Sequence, residues 1–552
     1  MRRHVFGMVF LVFVILQVNI LQAGDQDEHY VGLKKGWQYM QMVYERLNQQ
    51  YVEDIDPYPL IRSGINGMLD KLDPYSVFLE EDGQRRLRIM TTGKYGGLGM
   101  EIGLRNKKVT VIAPIANSPA QKIGVQAGDI IEQIEGKDIE GTGVDEVSGL
   151  LRGKIGTDVN LTIVRPGLNE PMELTITRAE IILEDVGYSG FMAPGLAYVN
   201  LNSFTDKALE EVRDEILELQ KQQQIEAFIL DLRGNPGGLL EAAVNIVNLF
   251  VEKEKLVVYT KGFREKEYRF YTRNEPLLPG VPLAILVDGG SASASEIVAG
   301  ALQDLDRAVI IGEDTFGKGL VQKVFTLDKH KNVKLKLTTA KYYIPSGRCI
   351  QKKDYSRNGV IKHDSTLAEE DGPHEFFTEN ERQVYDKGGI YPDVHVEGDT
   401  LSYALMQLVR KSMIFDFNVQ YHQKNPQWKQ NPVFKDSILA EFKEYLAQRE
   451  FEYECECSRD LERIKNFLDT KKYPDEVSQL LIKLENQLNN EIDKDFDRNS
   501  DQISEFLYLD LVEKYFDRKE RDRISLLKDK QANEAVRILQ DLREYRRILA
   551  IK

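Results

Sequence analysis

Residues Ser291–Gln322 read SASASEIVAGALQDLDRAVIIGEDTFGKGLVQ, and this stretch decides the fold. A short apolar run, Pro282 to Val287, precedes it and has the length and bulk of a buried strand. Gly289-Gly290 and three alternating serines punctuate the chain, and Glu296 to Leu305 then reads as a helix. A second apolar run, Ala308 to Ile311, is a strand, and a turn comes next in which Lys318 stands between Gly317 and Gly319. Upstream the pattern repeats, with a helix carrying Leu209, Val212, Ile216 and Leu219 behind Asp206 as its expected cap, a strand at Ala227 to Leu232 and a helix at Leu239 to Phe250. Strands alternating with helices imply an α/β core, placed at residues 181–399. Within it, residues 352–389 are polar and charged and read as a long loop.

Three segments of this core have the composition of a reactive site. Gly289-Gly290-Ser291-Ala292-Ser293-Ala294-Ser295-Glu296 comes after a strand and opens a helix, so a serine there meets free backbone N–H groups at the positive end of the helix dipole. That environment suits a nucleophile whose product is an oxyanion. The same residues also suit simple helix capping. Thr315-Phe316-Gly317-Lys318-Gly319-Leu320-Val321-Gln322 sets a lysine in a glycine turn next to apolar residues. Burial lowers a lysine pKa from its usual ~10.4, and an amine held about 3 pH units lower carries ~4 kcal/mol of disfavoured charge. A neutral amine of this kind can deprotonate a serine; a solvated surface lysine is the competing reading. Gly319 stands where a phosphate-binding loop needs Ser or Thr, so that function is disfavoured. Asp231-Leu232-Arg233-Gly234-Asn235-Pro236-Gly237-Gly238 is a strand, a glycine-rich turn and a helix start, and the N–H of Gly237 or Gly238 can form half of an oxyanion hole. The seven histidines, His4, His29, His330, His363, His374, His395 and His422, show no zinc-site spacing.

The chain has 552 residues, a length that predicts three or four domains. With 73 Lys and Arg against 88 Asp and Glu, the net charge of −15 argues against nucleic-acid binding. The 42% hydrophobic and 29% charged fractions fit a globular protein rather than a disordered chain. Cys349, Cys455 and Cys457 are too few for a disulfide framework. Residues 1–23 begin with Arg2 and Arg3, continue through the apolar run Val5 to Leu16 and end in Leu21-Gln22-Ala23. That is the layout of a secretory signal peptide. The expected location is outside the cytoplasm, with membrane contact only if the segment is retained. Residues 24–92 read as a helical region in which Asp56-Pro57 opens a helix bearing Leu60, Gly64, Ile65, Met68, Leu69 and Leu72 on one face. Residues 93–180 are glycine-rich and β-like, with strands at Leu98–Ile102, Val109–Ile112, Asp129–Ile134 and Val159–Val164 and one helix at Gly143–Arg152. Residues 400–552 are helical and highly charged, with long runs at Val477–Ile492 and Ala532–Ile548.

Taken together, these segments resemble the carboxyl-terminal processing, or tail-specific, proteases of the S41 peptidase family, over about residues 40–397. The resemblance implies a multidomain α/β fold: a crotonase/ClpP-like protease core, an inserted β-rich PDZ domain at 93–180, a helical N-terminal region and a helical C-terminal extension. It implies Ser293 as nucleophile, Lys318 as general base and Gln322 as the residue that orients the lysine; Ser291 and Ser295 are not the nucleophile in the family pattern. The oxyanion donors it implies are the N–H of Ala294 and that of Gly237 or Gly238. Tyr95-Gly96-Gly97-Leu98-Gly99-Met100-Glu101-Ile102 is similar to a PDZ carboxylate-binding loop and first strand, with Gly97, Leu98, Gly99 and Met100 facing a peptide C-terminus. Arg152 either relays peptide binding to the core or only positions its loop.

The function this implies is an exported, periplasmic serine endopeptidase that recognises substrate C-terminal tails and needs no metal or cofactor. Its expected partners are proteins with accessible C-termini; a homodimer and an adaptor or activating protein are left open. The competing functions are a PDZ scaffold with an inactive core and an acyl-CoA enzyme of the crotonase class.

Overall fold

The computed structural model describes residues 30–551 apart from 330–331, 354, 356–372, 387, 454–457, 472 and 493. The proposed signal segment, His4, His29, His330, His363, Cys455 and Cys457 lie outside the described residues.

The α/β core is a six-stranded sheet in the order Val186–Ala193, Leu196–Leu201, Ala227–Asp231, Leu283–Val287, Val309–Gly312, Val394–His395. The first pair is antiparallel and the rest are parallel. Side chains alternate between its faces as strand geometry requires. Val199, Leu230, Ile285 and Ile310 face the helices Ala208–Gln222, Leu240–Val247 and Ala294–Asp304. Tyr198, Ile229, Leu286 and Ile311 face Ala532, Ala535, Ile538 and Leu539 of the C-terminal extension. A mainly parallel sheet must be covered on both faces, and here residues from Leu526 onward supply the second cover. The Tyr545 hydroxyl also accepts the N–H of Leu283 at 3.1 Å.

A second sheet lies over the serine helix. The hairpin Leu320–Asp328 and Val333–Tyr343 pairs with Leu256–Lys261 and with a three-residue strand, Val77–Leu79, from the N-terminal region. Val77 sits opposite Lys336. This pairing brings the turn Asp73-Pro74-Tyr75-Ser76 over the core, where sequence alone suggests only the end of a helix. The preceding helix, Pro57–Leu69, starts as expected, with the Asp56 carboxylate accepting the Tyr58 N–H, but it ends before Leu72, which lies in the turn that follows.

The PDZ domain is a sheet of Met100–Arg105, Lys108–Pro114, Ile130–Ile134, Asp158–Val164 and Met172–Thr177, closed by the helix Val144–Leu151 over a core that includes Val111, Val147 and Leu161. Its two connections to the core run side by side as the ribbon Lys94–Gly97 against Ala179–Ile182. The far side of the domain rests on the extension, with Asn106 donating to Asp416 at 3.0 Å and the Arg105 guanidinium 5.4 Å from the Phe415 ring centre.

Several local expectations are corrected. The helix after Asp206 starts at Ala208 and has no side-chain cap, because Lys207, which carries no side-chain acceptor, and not Asp206 holds the N-cap position. The run 532–548 is two helices, Lys530–Gln540 and Leu542–Ile548, broken at Asp541, whose carboxylate caps the second. Within 352–389 the described residues include a hairpin, Glu375–Phe377 with Gln383–Tyr385. It is anchored by Arg382 between Asp306 and Asp393, at 2.5 Å from each.

Candidate active site

The three serines of the 291–295 turn have different fates. Ser291 and Ser295 are fully buried, and their hydroxyls donate to the carbonyls of Leu232 at 2.8 Å and Asn235 at 2.9 Å. Both lock the turn to the glycine-rich loop. Ser293 is half-buried, and its hydroxyl proton is not committed to any acceptor among the described residues. Its backbone stands at φ 56°, ψ −108°, a conformation that costs a non-glycine residue about 1–3 kcal/mol and persists only where the surroundings hold it.

Glu296 is what holds it. The side chain is fully buried, and each carboxylate oxygen accepts two bonds. Oε1 takes the Thr315 hydroxyl at 2.6 Å and the Gly317 N–H at 2.7 Å, while Oε2 takes the N–H of Ser293 at 2.8 Å and of Lys318 at 2.9 Å. Burial raises its pKa and the four donors oppose that. All four neighbours donate, so the ionised, acceptor-only form fits the site. From the other side the Tyr342 hydroxyl lies 2.5 Å from the Lys318 carbonyl and 3.1 Å from the Ser293 carbonyl. One carboxylate and one phenol thus join the backbones of Ser293 and Lys318.

The Lys318 side chain runs into a partly buried space under the N-terminal turn, with its amine 4.3 Å from the Tyr75 ring centre. Burial and the nearby Lys336 lower its pKa to about 8, against the opposing pull of Glu296 and Asp73. The turn that covers it is rigid: Asp73 accepts the N–H groups of Tyr75 and Ser76 at 2.8 Å each, and Ser76 Oγ accepts the Thr338 N–H at 3.1 Å.

The glycine-rich loop meets the serine turn at Gly237. A Cβ there would lie 2.8 Å from the Ala294 nitrogen and 2.9 Å from Ser293 Cβ, and φ is +95°. Only glycine leaves the space in front of the Ala294 N–H open. The Gly237 N–H is taken by Asn235 Oδ1 at 2.9 Å, whereas those of Gly238 and Ala294 have no partner among the described residues. Gln322 stands apart from the lysine in this structure, its amide donating to Thr338 Oγ1 at 3.3 Å.

In the PDZ domain, Leu98 is buried and its carbonyl accepts the Ala120 N–H, while the Gly99 carbonyl accepts from Ile115 N and Ser118 Oγ. The N–H groups of Leu98 and Gly99 are without partners among the described residues. Gly97 lies in the ribbon opposite Ala179, and Met100 begins an edge strand beside the helix Val144–Leu151. Arg152 stacks on Tyr95 of the ribbon with its guanidinium 5.1 Å from the ring centre.

Four segments of the chain match models of known protein families. Residues 195–364 match the model of peptidase family S41, 110–165 a PDZ domain, 404–539 the C-terminal helical domain of a probable PDZ-protease and 15–83 the N-terminal domain of the activating protease CtpB. The carboxy-terminal-processing protease of Bartonella bacilliformis is 41% identical over 63% of this chain and 79% of its own. The chain belongs to the carboxy-terminal processing proteases of family S41. It is therefore a serine-type peptidase with a PDZ domain. The carboxy-terminal processing protease CtpB of Bacillus subtilis is 32% identical over 59% of this chain and 68% of its own. Among solved structures, a photosystem II D1 C-terminal processing protease aligns over 64% of this chain and 85% of its own, at 29% identity and a TM-score of 0.36.

Reading the sequence misses four members of this site. Glu296 has a legible signal, because Ser293-x-x-Glu296 has the spacing of a capping box. Tyr342, Tyr75 and Lys336 have none, since each arrives from a distant segment.

Proposed function

We propose that this chain is an exported endopeptidase that binds the C-terminal tail of a protein substrate along its PDZ edge strand and cleaves it with Ser293 and Lys318. The observation that carries this reading is the shared carboxylate of Glu296, which accepts the backbone N–H of both residues. Near pH 8 about half of the Lys318 amines are uncharged. Such an amine takes the Ser293 proton as Oγ attacks the scissile carbonyl carbon. The resulting oxyanion accepts from the N–H of Ala294 and of Gly238, the glycine of the pair whose N–H is unclaimed. The lysine then gives its proton to the leaving amine, and an acyl-enzyme remains. Water attacks that ester, losing a proton to the same amine, and the serine is regenerated. Gln322 orients the lysine only if its amide leaves Thr338 when substrate binds.

Tail capture is supported by the unpaired N–H groups of Leu98 and Gly99 at the end of an edge strand. Export to the periplasm is supported by the signal-like residues 1–23. The test is hydrolysis of a protein substrate with a free C-terminus, compared with the same substrate amidated. Wild type should cleave the free form faster, and Ser293→Ala and Lys318→Ala should each remove turnover. Activity retained in both variants would exclude this mechanism.

A further inference from the structure

We infer that Arg233, clamped by Asp529 and Gln531 of the C-terminal extension, is a positioning residue for the loop Gly234–Gly238. Its role in oxyanion stabilisation rests on the reading above.

Arg233 is the hinge between a rigid strand and that loop. Its own N–H and Nε donate to Asp231 Oδ1 at 2.9 and 3.0 Å, and Nη2 reaches Asp231 Oδ2 at 2.6 Å. Asp231 is the last residue of the central strand Ala227–Asp231 and also accepts the Tyr198 hydroxyl at 2.6 Å. The remaining nitrogen, Nη1, crosses to the extension, to Asp529 Oδ2 at 2.7 Å and Gln531 Oε1 at 2.9 Å. These partners are nearly 300 residues away in sequence and are themselves fixed. Asp529 caps the helix Lys530–Gln540 by accepting the Ala532 N–H at 2.7 Å. Gln531 is buried and donates to the Val396 carbonyl at 2.7 Å. The planar guanidinium therefore has one edge on the strand and the other on the extension.

The loop just beyond Arg233 must be placed to within a fraction of an ångström. Gly234 N–H donates to Asp288 at 2.8 Å, and the Asn235 carbonyl receives both Ala292 N–H and the Ser295 hydroxyl. The loop is thus pinned to the serine turn and, through Asn235, to the Leu201 carbonyl in its middle, to Phe204 at its Gly237–Gly238 end, and to Arg233 at its start. Phe204 limits how far Gly238 can move, so release of the Arg233 end acts by tilting the entry of the loop, which turns the Gly238 N–H away from the position the oxyanion will take. Misplacement on the 1 Å scale costs about a hundredfold in rate.

The test is Asp529→Asn in the full-length chain. Asparagine is as good a helix cap as aspartate, but it removes the one carboxylate charge of the extension that Arg233 meets, leaving that of Asp231 on the strand. We expect kcat to fall about tenfold to a hundredfold with KM within about twofold. Affinity for a peptide boronate should fall with kcat, and the pH midpoint of activity should not move, since Lys318 is untouched. Asp541→Ala, which uncaps the last helix of the same extension without touching Arg233, should lower the melting temperature and leave kcat unchanged. Wild-type kcat in Asp529→Asn, or an equal kcat loss in Asp541→Ala, would overturn the inference. Hydrogen exchange over 234–238 reads the positioning apart from the chemistry. Faster exchange in Asp529→Asn alone supports the clamp, and exchange unchanged from wild type overturns it. If wild type shows no Ser293-dependent hydrolysis while the exchange effect is present, the proposed function falls and the clamp stands.

Discussion

Glu296 Oε2 accepts the backbone N–H of Lys318 at 2.9 Å, from 22 residues away, and the same oxygen accepts that of Ser293 at 2.8 Å. The two residues proposed to exchange a proton are therefore fixed to one buried charge. Both oxygens of that charge are fully used, so the strained Ser293 backbone and the lysine loop stand or fall together.

Glu296→Gln should break this unit. The amide nitrogen would face the N–H groups of Ser293 and Lys318 or, in the flipped orientation, that of Gly317 beside the Thr315 hydroxyl, and each buried donor left unpaired costs about 1–3 kcal/mol. We expect turnover to fall at least about a hundredfold, with a lowered melting temperature. Loss of the carboxylate also removes a charge that raises the Lys318 pKa, so residual activity should have its pH midpoint below 8. Steady-state kinetics across pH checks both effects.

Lys336 pushes in the other direction. Its positive charge lowers the Lys318 pKa, so Lys336→Met should move the activity midpoint upward from about 8. Maximal rate at high pH should be little changed. A midpoint that stays in place would remove Lys336 from the electrostatics of the site.

The buried amine should destabilise the fold at neutral pH. Its folded pKa of about 8 lies below the ordinary 10.5, so the unfolded chain holds more protons between those values. Stability rises with pH across that window, and the penalty, about 3 kcal/mol, is fully present below pH 8. Lys318→Met, close in size, should raise the melting temperature at pH 7, and the gain should shrink toward pH 10.

The main elements of the core are legible in the sequence because its signals are local. The apolar runs at 227–232, 282–287 and 308–311 and the glycine turns between them all lie within one strand or one turn of the residues they shape. Most PDZ strands are legible for the same reason, although Met172–Thr177 is not. Partners brought together by tertiary folding leave no such signal. Tyr342 reaches the site by a hairpin, and Tyr75 by a three-residue strand that looks like the end of a helix. The extension reads correctly as helical, but an apolar helix face does not say which surface it covers, and here that surface is the catalytic sheet. Gln322 shows a related limit: the motif supplies its place in the chain, while β-pairing in this structure turns its amide toward Thr338.

The PDZ loop yields a separate prediction. Gly99 has φ +76°, and a Cβ there would come within 2.3 Å of Ser118 Cβ. Gly99→Ala should therefore abolish binding of a free-C-terminus peptide, read by fluorescence polarisation. Turnover of a short unstructured peptide that does not use the groove should persist.

Whether Lys318 is the base for Ser293 is read from the rate at which a fluorophosphonate phosphonylates Ser293, with loss of fluoride, across pH. That rate should show a single ionisation near pH 8 that moves upward in Lys336→Met, and phosphonylation should be lost in Lys318→Ala. A midpoint near 6.5 that ignores Lys336, or phosphonylation that survives in Lys318→Ala, would exclude Lys318 as the base.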